Sequence, residues 1–248
     1  MLKVRIIPIL TFNGFGLVKT KKFSNPRMVG NPVQAARVYN SRGVDELVFV
    51  DIFASSQKRK INLKLVADVI KECYMPVAIG GGIETIEDIN NLLKIGADKV
   101  IIKTKALLDA KFIDEAVAFF GSQCISIAID AYLTPSGYKI FNKLNIEISL
   151  KDFVNQMISC KVGEFVVTSV DNDGIMDGFD IDLIKQVSQL TNIPIIATGG
   201  GGLMEHYNEL FSQTKVQAVG SASIFHFTQF TPLDIKNELK SIDIPVRI

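Results

Sequence analysis

Eight short runs rich in β-branched residues alternate along this chain with longer segments of helical periodicity, and no other feature restricts the fold as tightly. The runs are Val4–Leu10, Glu46–Asp51, Pro76–Ile79, Lys99–Lys103, Cys124–Asp130, Glu164–Ser169, Pro194–Thr198 and Val216–Gly220. Between them, Val33–Arg42, Leu63–Cys73, Ile86–Ile95, Phe112–Phe120, Leu150–Cys160, Leu183–Leu190 and Met204–Phe211 place apolar residues at i, i+3 and i+4, the spacing of one helix face. Strands that alternate with helices pair in parallel, and eight such units close on themselves. The predicted fold is α/β, a single (β/α)8 TIM barrel over residues 1–248, and 248 residues is the size such a barrel needs.

The chain also resembles itself. Asp51 precedes Asp171 by 120 positions, Gly80-Gly81-Gly82 precedes Gly199-Gly200-Gly201 by 119, and Thr104 precedes Ser223 by 119. This spacing reads as two pseudo-repeated half-barrels, about 1–120 and 121–248. The repeat exposes one asymmetry: Asp130, at the end of the fifth strand, corresponds to Thr11 at the end of the first. Catalytic groups of such barrels sit at strand C-termini, so the difference falls where chemistry is done.

Composition narrows the partners. A net charge of +1 provides no broad field for nucleic acid or an anionic membrane. The N-terminal apolar run is short and runs into Thr11, Asn13 and Gly14, unlike a signal peptide, and no apolar stretch is long enough to span a bilayer. Cys73, Cys124 and Cys160 are odd in number and set among apolar residues, which fits reduced core thiols and a cytoplasmic location. The two histidines, His206 and His226, fall in no metal-ligand or nucleophile arrangement, so neither metal nor cofactor is expected.

Two glycine-rich turns, Gly80-Gly81-Gly82 and Gly199-Gly200-Gly201-Gly202, each follow an apolar strand. They either serve only as tight turns or leave backbone N–H groups open to an anion, with hydroxyls added by Thr104 in one half and by Ser221 and Ser223 in the other. Two such sites across one mouth suit a substrate with a phosphate at each end. Carboxylates Asp51, Asp130, Asp171 and Asp173 are expected at the same mouth, where each is either a turn or cap residue or a proton carrier. Asp130, after the apolar run Ile125–Ile129, is expected in a partly desolvated setting suited to proton transfer. At the opposite pole Arg5, Glu46, Lys99 and Glu164 begin strands, and a mutually neutralising ring is the arrangement that satisfies them, as a structural plug or as a gate. Residues Ala131–Ser149 read as a hairpin excursion able to cover the mouth.

Arg5-Ile6-Ile7-Pro8, Asp45-Glu46-Leu47, Gly80–Ile83, Gly96-Ala97-Asp98-Lys99-Val100, Phe120-Gly121-Ser122-Gln123, Ala128-Ile129-Asp130, Thr168–Gly174 and Phe225-His226-Phe227 together resemble the cyclase subunit of imidazole glycerol phosphate synthase. The resemblance implies a glutaminase docked at the N-terminal pole, near Asp98, with Arg5, Glu46, Lys99 and Glu164 as an ammonia gate. It implies a bis-phosphorylated ribulose aminoimidazole carboxamide nucleotide at the mouth. Candidate substrate contacts are Lys19, Asp51, Gly81, Gly82, Lys103, Thr104, Thr168, Asp173, Gly174, Thr198, Gly199, Gly200, Ser221 and Ser223. Three departures stand out: Thr11 replaces the first of two acid–base aspartates, Lys103 a substrate-contacting asparagine, and Gly14-Phe15-Gly16 an Asp-Gly-Arg loop. A threonine hydroxyl does not titrate near neutrality. In these respects the chain looks more like the divergent cyclase-like paralogues of surface-polysaccharide pathways, and an ammonia-dependent sugar amidation is expected, with Asp130 carrying the proton. The alternatives are a true histidine-pathway cyclase and a non-catalytic ammonia conduit that activates the glutaminase.

Overall fold

Side chains that alternate along a strand become, once the sheet closes, separate inner and outer surfaces. The computed structural model describes residues 3–247, so residues 1, 2 and 248 of the predicted domain lie outside the description. Its strands are β1 (Arg5–Phe12), β2 (Leu17–Lys21), β3 (Ser24–Gly30), β4 (Leu47–Asp51), β5 (Val77–Gly80), β6 (Lys99–Ile102), β7 (Ile125–Thr134), β8 (Gly137–Ile140), β9 (Glu164–Ser169), β10 (Ile195–Thr198) and β11 (Ala218–Ser221). Eight of them pair in parallel in the order β11-β10-β9-β7-β6-β5-β4-β1. A β1–β11 ladder from Arg5↔Ala218 to Pro8↔Ser221 closes the ring. The chain is therefore a (β/α)8 barrel.

The helices are α1 (Pro32–Ser41), α2 (Leu63–Ile70), α3 (Ile86–Lys94), α4 (Thr104–Leu108), α5 (Ala110–Phe120), α6 (Leu150–Ser159), α7 (Ile181–Leu190), α8 (Met204–Gln213), α9 (Ser223–Phe227) and α10 (Pro232–Ser241). Their starts are written locally. Asn31 caps α1 with Pro32 at its first turn, Thr85 and Asp88 make a reciprocal capping box on α3, and Ser149, Asp180 and Thr231 cap α6, α7 and α10. Their apolar faces pack on the outside of the sheet in one continuous core that includes Phe49, Phe153, Phe165 and Tyr207.

The lumen holds a second, separate apolar cluster: Ile7, Val48, Ala78, Ile101, Val166, Ile196 and Ala218, with Ile9, Val50 and Ala128 packed against it. Period-two alternation explains it. Arg5-Ile7-Ile9-Thr11, Glu46-Val48-Val50, Lys99-Ile101-Lys103, Ala128-Asp130 and Glu164-Val166-Thr168 all run inward, with charge at the bottom, apolar groups in the middle and polar groups at the top. From Lys99 to Lys103 is four residues, about 13 Å of strand at ~3.3 Å each. Each large lumen side chain contributes ~1.5–3 kcal/mol by leaving water.

Three features depart from the expectations. The fifth barrel strand does not end at Asp130 but runs on to Thr134, because β8 pairs antiparallel with its extension, from Ala131↔Ile140 to Thr134↔Gly137. A second hairpin, β2–β3, follows β1 and has no counterpart in the sequence reading, because its turn residues Lys22 (φ 50°) and Phe23 (φ 58°) adopt a conformation normally signalled by Asn-Gly. Helices α4, α9 and α10 are likewise additions, the first two being only five residues long.

Candidate active site

At the N-terminal pole the four charged residues that begin strands close into an alternating ring. Arg5 bonds Glu46 at 2.5 Å and also Glu164, while Lys99 reaches Glu46 at 3.0 Å and Glu164 at 2.9 Å. Burial disfavours the Arg5 cation, but Glu164 and Glu46 outweigh it and raise its pKa above the ordinary value. Asp98, beside the ring, is exposed, and one of its carboxylate oxygens accepts the Val77 N–H at 2.8 Å.

At the opposite end the mouth opens into a cavity of about 320 Å³ that descends between the inward side chains Ile9, Val48, Ile101, Ala128 and Val166. Asp130, expected in a partly desolvated setting, is buried, and it forms an ion pair with Lys103, whose Nζ contacts its Oδ2. Two rings flank that ammonium, Phe23 at 5.6 Å and Phe141 at 5.2 Å from Nζ to ring centroid. They meet edge to face, 5.4 Å apart, joining the β2–β3 turn to the segment after β8. The segment after β8 does reach the mouth: Phe141, Asn142, Lys143 and Leu144 line the cavity, and Lys143 sits over Phe53 at 5.5 Å. Thr11 faces the same space, but its hydroxyl donates to the Val18 carbonyl of β2.

The two glycine turns stand at the tops of β5 and β10, four strands apart in an eight-stranded ring and therefore on opposite sides. Gly81, Gly82 and Thr104 line one side of the cavity, and Gly199, Gly200, Ser221 and Ser223 the other. Backbone packing makes glycine obligatory in both turns: a Cβ on Gly81 would lie 2.4 Å from the Asp51 carbonyl oxygen, and one on Gly200 1.9 Å from that of Gly178. Ser221 bonds the fully buried Tyr207 hydroxyl at 2.7 Å. Burial pushes the Tyr207 phenol well above its usual range against the opposing Ser221 bond. The Ser223 hydroxyl, buried at the cavity wall, has no hydrogen-bond partner among the described residues.

Between the two turns, Thr198 Oγ1 lies 2.6 Å from Thr168 Oγ1 on the neighbouring strand. Lys19 enters from β2 and pairs with Asp173 at 2.7 Å, both side chains more than nine-tenths buried, while Thr20 bonds the other carboxylate oxygen at 3.0 Å. Gly174 lets the hairpin sit this low, since a Cβ there would meet the Thr20 carbonyl at 2.1 Å. His226 packs nearby; burial, then the Lys19 charge, lower its pKa.

Two of the expected mouth carboxylates are engaged by loop and hairpin groups of the protein itself. Asp51 lines the cavity, but its side chain is fully shielded and accepts from the Phe53 and Ala54 N–H groups and from both terminal nitrogens of Arg59. Three of these four donors reach Oδ1 and one reaches Oδ2, so the carboxylate anchors the β4–α2 loop at the edge of the cavity. Asp171 does not line the cavity; it turns into the hairpin and accepts the Leu133 N–H at 2.9 Å. Sequence reasoning missed Phe23, Phe141, Thr20 and Arg59. An unusually basic and aromatic Lys21-Lys22-Phe23 directly after a short β-run was the available signal for the first.

Among the described residues no helix is long and apolar enough to cross a membrane. A family model described as "Histidine biosynthesis protein" matches residues 5–231. The "Imidazole glycerol phosphate synthase subunit HisF" of Natranaerobius thermophilus is 39% identical over 251 aligned residues, covering 100% of both chains. The protein of the same description from Streptococcus mutans serotype c is 40% identical over 251, again with 100% of both covered.

Proposed function

The chain belongs to the histidine biosynthesis protein family and, within it, to the HisF subunits, and on that premise we propose that it is the ammonia-consuming synthase subunit of a glutamine amidotransferase of the imidazole glycerol phosphate synthase type. A glutaminase docks at the N-terminal pole, ammonia passes the Arg5–Glu46–Lys99–Glu164 ring and rises through the apolar lumen, and it adds to a carbonyl carbon of an acceptor at the mouth. The observation that carries this reading is the continuity of one inward surface, from the charged ring through the apolar cluster to a cavity with glycine turns on opposite walls. An apolar lumen admits neutral ammonia and rejects ammonium, whose burial without a partner is costly.

In the histidine-pathway form of the reading, the acceptor is the bis-phosphorylated ribulose aminoimidazole carboxamide nucleotide, with one phosphate at Gly81, Gly82 and Thr104 and the other at Gly199, Gly200, Ser221 and Ser223. Lys19 and Asp173 line the same cavity, and Thr168 and Thr198 add hydroxyls. The products are imidazole glycerol phosphate and the carboxamide ribotide. A second reading, amidation of a sugar acceptor, is favoured by one feature: the position of the first acid–base aspartate is Thr11, with its hydroxyl engaged by Val18. Turnover of the bis-phosphorylated nucleotide by the purified chain with saturating ammonium salt tests the choice. Formation of imidazole glycerol phosphate supports the first form; its absence from a folded chain rejects that form and directs the search to sugars.

A further inference from the structure

We propose that Lys103 and Asp130 form a directly coupled proton-transfer pair, with Lys103 as the acid and Asp130 as the base of ammonia addition. The inference rests on the reading that ammonia adds to a carbonyl carbon at this mouth. Lys103, just past the end of β6, and Asp130, within the neighbouring β7, both face inward, immediately above Ile101 and Ala128 of the lumen. Anything leaving the lumen on this side meets them first. The other cations of the cavity are otherwise engaged: Lys19 is held by Asp173 and nine-tenths buried, and Lys143 lies over Phe53. Thr11 neither titrates nor has its proton free. Lys103, by contrast, lines the cavity and keeps its side chain 26% exposed while touching the carboxylate. Phe23 and Phe141 hold the ammonium in place and limit its contact with bulk water.

The step balances within the pair. The ammonia lone pair forms the C–N bond, and the carbonyl π electrons move to oxygen. That oxygen takes a proton from Lys103 Nζ, and the nitrogen, now four-bonded and positive, gives one of its three original protons to Asp130. The product is a carbinolamine, nothing is oxidised or reduced, and the pair is left as amine and carboxylic acid. Because the two groups touch, the proton then returns from Asp130 to Lys103 and restores the ion pair without passing through solvent.

A purely structural ion pair makes a different prediction for arginine. Lys103→Arg preserves the charge and the contact to Asp130, but a guanidinium does not release its proton in this pH range. The test is ammonium-driven turnover of the bis-phosphorylated nucleotide by the full chain and its Lys103→Arg, Lys103→Met and Asp130→Asn variants. Both lysine variants are expected to lose ~10²–10⁴-fold in kcat with KM for the nucleotide little changed. Rescue of kcat by Lys103→Arg would overturn the pair. Should the parent chain not turn over this nucleotide, the substrate assignment fails, and the pair is judged separately by 15Nζ lysine NMR. There the Lys103 signal, assigned by its loss in Lys103→Arg, is expected to move in Asp130→Asn more than any other lysine signal. A signal indifferent to Asp130→Asn would overturn the proposal.

Discussion

Replacing Glu46 by Gln removes one charge from the polar ring without changing its shape, and the structure sets the size of the response. Glu46 is only 3% exposed and accepts from Arg5 at 2.5 Å and from Lys99 at 3.0 and 3.1 Å. A neutral amide in its place would leave two cations facing a single carboxylate, Glu164. Charge-assisted bonds of this kind are worth ~1.5–3 kcal/mol each. The cations are 27% and 20% exposed, so water recovers part of the loss. A net destabilisation of about 3 kcal/mol follows, which lowers Tm by about 6–12 °C in a domain of this size. Adding Lys99→Met restores neutrality, and the double variant is therefore expected to be about 1–2 kcal/mol more stable than the sum of the singles. Urea titration and calorimetry of the four proteins measure both quantities. A Glu46→Gln cost below about 0.5 kcal/mol, or strict additivity, would show that the ring is solvated and its members independent.

If the ring gates ammonia as proposed, Lys99→Ala should lower glutamine-driven product, measured with the glutaminase present, while sparing ammonium-driven product, because the lesion lies at the pole opposite the mouth; equal losses of both would refute the gate. Gly200→Ala, with φ +112° and a Cβ 1.9 Å from the Gly178 oxygen, should cost roughly 3–5 kcal/mol in urea titration. Gly137→Ala, at φ +103° but with nothing within 4 Å, should cost only about 1–2; equal costs would refute the packing argument. Burial and then the Lys19 charge depress the His226 pKa below 6.5, so the folded state binds that proton less readily than the unfolded one. Its contribution to stability is complete above the unfolded pKa and is lost as pH falls toward the folded value. His226→Asn should therefore flatten the dependence of stability on pH between about 7.5 and 5.5, and an unchanged slope would assign that dependence to other groups.

The barrel was legible because it is written in short-range periodicities. Period two in eight runs and period 3.6 between them define alternating strands and helices, and the caps Asn31, Thr85, Ser149 and Asp180 mark where four of those helices begin. The same alternation puts Arg5, Glu46, Lys99 and Glu164 at one end of the lumen and Thr11, Asp130 and Thr168 at the other. Where local rules are broken, the pattern falls silent: the Lys22-Phe23 turn lacks the glycine that normally announces a hairpin, and the continuation of β7 past Asp130 depends on pairing with β8.

What no local pattern contains is which partner each polar group finds. Asp51, Asp130, Asp171 and Asp173 are equivalent in sequence, one carboxylate each at or just beyond the end of a strand. Tertiary structure gives them four fates, as an Arg59-clamped loop anchor, a partner of Lys103, an acceptor for the Leu133 N–H and a buried mate of Lys19. Those partners lie from 8 to 154 positions away along the chain. Periodicity determined which residues face the mouth. Closure of the barrel and the docking of two hairpins on its rim decided which of them remain free to act, because hydrogen-bonding capacity is spent on whatever group folding brings within reach.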